Sequence, residues 1–65
     1  MHIMKLKELR EKHNLKQIDV ANYLKIKQNT YSQYENEKRQ LPIDVLIALS
    51  KYYKVRTDYI LGLEE

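Results

Sequence analysis

Gln28, Asn29, Ser32, Gln33 and Asn36 crowd into one short stretch, with Lys27 just before it and Thr30 inside it. A side-chain carboxamide carries a donor and an acceptor in one plane. That is the pattern adenine presents in the major groove of a DNA duplex, and a lysine ammonium suits the acceptors of guanine or a phosphate. A solvated helix face usually carries Glu–Lys pairs three or four residues apart instead. A polar face with no partner would account for the amides alone, so the case rests on what holds them in place.

The apolar residues on either side do that. Val20, Leu24, Ile26, Tyr31 and Tyr34 recur through Gln17 to Asn36 at helical spacing, interrupted at Lys25-Ile26. Two helices joined by so short a break cross steeply and need a small side chain at closest approach, which Ala21 supplies. The inner faces anchor both helices, and the outer face of the second carries the amides and Lys27. Ile18 falls off the inner face and is expected to be exposed or packed on a neighbour.

The rest of the chain reads as supporting helices. Ile3, Leu6 and Leu9 mark a first helix over about Ile3 to His13, with Asn14 as a left-handed stop and Leu15 tucked in behind it. The helix after the amides ends near Asn36 or Glu37, and a polar connection runs to Leu41. Pro42 fits the first turn of a fourth helix, whose core face is expected to carry Ile43, Leu46, Leu49 and Tyr53. Thr57 reads as the N-cap of a short fifth helix ending at Gly62. With one Gly and one Pro in 65 residues, the chain lacks the turns an all-β fold needs. The expected fold class is all-α, five helices in a single domain over 1–65.

Composition narrows the function classes. The net charge of +3 is only mildly basic. There is no Cys, so disulfides and thiolate metal sites are excluded. His2 and His13 have no acidic cluster beside them, and they read as surface histidines with no metal. Tyr31, Tyr34 and Tyr53 fall at core positions with hydroxyls expected at the surface, and Tyr23 and Tyr52 at the rim. No phosphate loop, nucleophile–base pair or metal-ligand spacing points to an enzyme, and no cofactor is expected. The longest apolar run, Val45 to Leu49, is far shorter than the ~20 residues of a membrane span. A cytoplasmic, nucleoid-associated location is expected.

Taken in order, Gln17, Ala21, Tyr34-Glu35-Asn36, Lys38-Arg39, Pro42 to Ile47 and Thr57 to Gly62 resemble the phage-repressor and Cro-type helix-turn-helix family, over about Leu6 to Gly62. The resemblance implies a five-helix fold that binds double-stranded DNA, as a transcriptional regulator and in many cases a repressor. It implies base contacts from Lys27, Gln28, Asn29 and Gln33, with Thr30 and Ser32 on the same helix. It implies phosphate contacts from Gln17, Asn36, Lys38 and Arg39, and an ion pair between Arg10 and Glu35 that is structural. Relatives often pair through the C-terminal end, so Tyr59, Ile60 and Leu63 are candidate contacts of a weak homodimer; a lid over the chain's own core is the other reading of that cluster. Two positions depart from the pattern. Lys25 and Glu37 stand where relatives commonly have Gly, leaving open whether Lys25 adopts a left-handed backbone and whether Asn36 replaces the second glycine. The competing function is an antitoxin-like protein-interaction module, which an exposed patch shared by Ile18 and Tyr23 would favour.

Overall fold

Residues 5–63 are described in the computed structural model. Among them five helices and no strand form: α1 (Leu6–Lys12), α2 (Gln17–Leu24), α3 (Gln28–Glu35), α4 (Ile43–Tyr53) and α5 (Thr57–Ile60). α1 begins later than expected, at Leu6 with Lys5 as its N-cap and His13 as its C-cap; Ile3 and His2 lie outside the described residues.

One core joins all five. Leu6 and Leu9 enter it from α1, Val20 and Ala21 from α2, Tyr31 and Tyr34 from α3, Leu49 and Tyr53 from α4 and Ile60 from α5. Ala21 is fully buried where α2 packs against α3, as a steep crossing requires. Leu15, Leu24 and Ile26 pack around this centre. The short α5 is tied back to the start of α1 by a backbone hydrogen bond from Lys5 N–H to Ile60 O, 2.8 Å.

α4 corrects the sequence reading at its start. Pro42 is the N-cap, with extended backbone, and Ile43 is the first helical residue. Ile43 therefore projects past the end of the core and is 74% exposed. The packed face is formed by Val45, Leu46, Leu49, Tyr52 and Tyr53. Thr57 is likewise inside α5, and the N-cap is Arg56.

All five helices end the same way. The N–H of Leu15, Ile26, Lys38, Val55 and Leu63 donates to the carbonyl five residues earlier, at 2.9–3.0 Å. The residue before each donor has positive φ: Asn14, Lys25, Glu37, Lys54 and Gly62. This Schellman closure satisfies carbonyls that a helix end leaves open. Lys25 does adopt the left-handed backbone, with φ 60. The second such position belongs to Glu37 and not to Asn36, whose φ is −87. The closure needs the residue immediately before the donor Lys38, and that residue is Glu37.

Candidate nucleic-acid interface

α3 presents the amide face outward. Tyr31 and Tyr34 lock its inner face into the core, while Lys27, Gln28, Asn29 and Asn36 are exposed and Thr30, Ser32 and Gln33 are partly exposed. Asn36 Nδ2 donates to Ser32 Oγ across one turn at 3.3 Å. That bond stiffens the outer face and leaves the Asn36 carbonyl oxygen available.

Both helices of the motif begin on a lysine. Lys16 is the N-cap of α2 and Lys27 the N-cap of α3, each with extended backbone, and at α3 no side chain closes the helix end. At α2, Asp19 Oδ2 accepts from the backbone N–H of Lys16 at 2.8 Å. At α3 no side chain caps the first N–H groups and no acid lies in the first turn, which suits an anion, whereas at α2 the Asp19 carboxylate already occupies the helix start. Sequence reasoning passed over Lys16; a basic residue just before a helix-opening glutamine is the signal that marks it.

A buried polar junction fixes how α3 sits. Glu35 closes α3, and its carboxylate accepts from Arg10 Nε at 2.6 Å, from Arg10 Nη2 at 3.3 Å and from Gln17 Nε2 at 3.1 Å. Arg10 Nη1 also donates to Leu15 O at 3.0 Å. The side chains of Arg10 and Glu35 are only 12% and 3% exposed. Burial would raise the Glu35 carboxyl, but the hydrogen bonds from Arg10 and Gln17 outweigh it and hold the group below its ordinary range. The same bond holds Arg10 more firmly protonated than usual. α1, the start of α2 and the end of α3 thus meet on one carboxylate. Gln17 is therefore a bracket as well as a candidate clamp, with one amide N–H turned inward.

The end of α3 differs from the other four helix ends. The donor in the terminal bond is apolar at Leu15, Ile26, Val55 and Leu63, but at α3 it is Lys38. An apolar residue there normally packs back onto its helix. Lys38 gives up that contact, and with Asn36, Glu37 and Arg39 it forms an exposed polar corner.

Several aromatic rings pack on one another. Tyr23 and Tyr52 stack at 4.0 Å, Tyr52 meets Tyr53 at 5.1 Å, and the His13 ring lies 5.1 Å from Tyr53. The hydroxyls of Tyr31 and Tyr53 are buried without a well-formed hydrogen bond, where surface hydroxyls were expected. Burial raises both phenols, Tyr53 to about 12, so they stay neutral at ordinary pH. Ile18 and Tyr23 are 40% and 46% exposed. Five residues apart, they point about 140° from one another around α2, so they do not form one patch. No cluster of possible metal ligands occurs among the described residues, and none of their helices is long and apolar enough to cross a membrane.

The C-terminal cluster is divided. Ile60 is 0% exposed and offers no surface to a second chain, because it fills the centre of the core. Tyr59 is partly buried against that core, and Leu63 is 61% exposed.

Comparison with known proteins agrees with this geometry. Residues 6–60 match the family described as Helix-turn-helix. The chain is 43% identical over 61 residues to the HTH-type transcriptional regulator ImmR of Bacillus subtilis (strain 168), covering 94% of this chain and 48% of that protein. It is 37% identical over 65 residues to the uncharacterized HTH-type transcriptional regulator YobD of the same organism, covering 100% of this chain and 58% of that protein. The chain thus spans about half the length of these relatives.

Proposed function

The chain belongs to the helix-turn-helix family, and from that premise we propose that it is a transcriptional regulator, acting as a repressor, that binds double-stranded DNA by sequence at the nucleoid. One observation carries this reading. α3 is locked to the core by Tyr31 and Tyr34, while its opposite face offers neutral amides and Lys27 to solvent. Lys27, Gln28, Asn29, Thr30, Ser32 and Gln33 read base edges. Each good paired contact discriminates by about 1–3 kcal/mol. Gln17, Asn36, Lys38 and Arg39 hold phosphates, which fix register without specifying sequence. The uncapped start of α3, beside Lys27, adds to that grip. Pairing through Tyr59 and Leu63 makes a weak homodimer, which sets two copies of α3 about 34 Å apart on one face of the duplex.

Backbone NMR resonances followed during titration with a random-sequence duplex test the placement. The expected shifts concentrate at residues 16–18, 27–33 and 36–39. Shifts concentrated on the exposed face of α4, at Ile43 and Ile47, would overturn it.

A further inference from the structure

Glu37 stands in a position that is costly on two counts, with no ion pair to offset either. Its φ is 57, a conformation that costs a residue with a Cβ roughly 1 kcal/mol. It follows the C-terminus of α3, where the helix dipole disfavours an anion. Among the described residues it joins no ion pair, unlike Glu8 and Glu35, which pair with Lys5 and Arg10. The fold gains nothing visible from the carboxylate, which sits exposed between Asn36 and Lys38.

We propose that Glu37 is an electrostatic brake, placed among the phosphate clamps to weaken the domain's sequence-independent hold on DNA. This rests on the DNA-binding reading above. Sequence-independent binding is almost entirely a matter of phosphate charge. A carboxylate next to Lys38 and Arg39 opposes that attraction locally, so more of the affinity must come from the base contacts of α3. Lys25 and Lys54 share the strained backbone, but their positive charge suits a helix C-terminus. Glu37 is the end residue whose charge works against its own helix.

The test compares wild type, E37Q and the charge control D58N, on exposed Asp58 of α5, for binding to a random-sequence duplex across a salt series. E37Q keeps the side chain's length and its left-handed cost and removes only the charge. It is expected to bind about threefold more tightly at low salt, with a steeper salt dependence, and the gain should vanish at high salt. D58N should change binding clearly less than E37Q. E37Q binding like wild type, or D58N matching its gain, would overturn the brake while leaving DNA binding intact. If wild type shows no salt-dependent binding at all, the parent reading falls and the brake with it.

Discussion

Glu35 shows how a residue on the proposed reading helix can serve the scaffold. It receives three hydrogen bonds from two other helices and is almost wholly enclosed. Removing one partner of a buried pair strands the other, at a cost of about 3–5 kcal/mol. That is comparable to the whole stability of so small a domain. Glu35→Ala should therefore abolish the cooperative thermal transition seen by circular dichroism. A transition within a few degrees of wild type would contradict the junction. The pH dependence follows from the direction of the shift. Glu35 lies below its ordinary value of 4.5 in the fold, so its contribution is fully present above that value and is lost as pH falls through the lowered one. The resemblance pointed to this pair. It did not reveal that Gln17 joins it, because nothing in the spacing from 17 to 35 fixes which amide proton turns inward. The Glu37 carboxylate, by contrast, was legible only as a departure, and its conformation became clear only with the backbone.

At the scale of the element, helix positions were readable because apolar spacing follows which face is buried. α2 was placed residue for residue, and the buried tyrosines of α3 were anticipated. Misplacements occurred at helix starts. Ile43 has the right type for a core position, but a helix-opening residue reaches past the packing surface, and apolar spacing does not mark that limit. The helix ends share one closure, and this makes a prediction. Lys54 takes a left-handed backbone with φ 58 well along the chain from the reading helix. Replacing it with glycine removes the Cβ penalty of roughly 1 kcal/mol. Lys54→Gly should raise the melting temperature by about 4–8 °C, less whatever the lost charge contributed at the helix end. A lower melting temperature would show that the dipole interaction of the lysine exceeds its strain.

At the scale of the whole molecule, the domain is a small platform, 30 × 23 × 20 Å, that holds one helix face outward. Fold class was legible because few turn residues and strong helical spacing leave little choice for so short a chain. The proposed pairing surface was the least legible part. Apolar type alone does not separate a core residue from an interface residue, and Ile60 proved to be core. The reading helix and its clamps stand or fall together on sequence selection. The most direct measurement enriches duplexes from a random pool with wild type, then repeats the enrichment with Gln28→Ala and with Gln33→Ala. Wild type should enrich one sequence as an inverted repeat with half-site centres about 10 base pairs apart. Each variant should lose preference at its own positions within each half-site. A lone half-site would remove the dimer from the account. No enrichment by wild type, or unchanged preference in both variants, would contradict the claim that this face reads DNA.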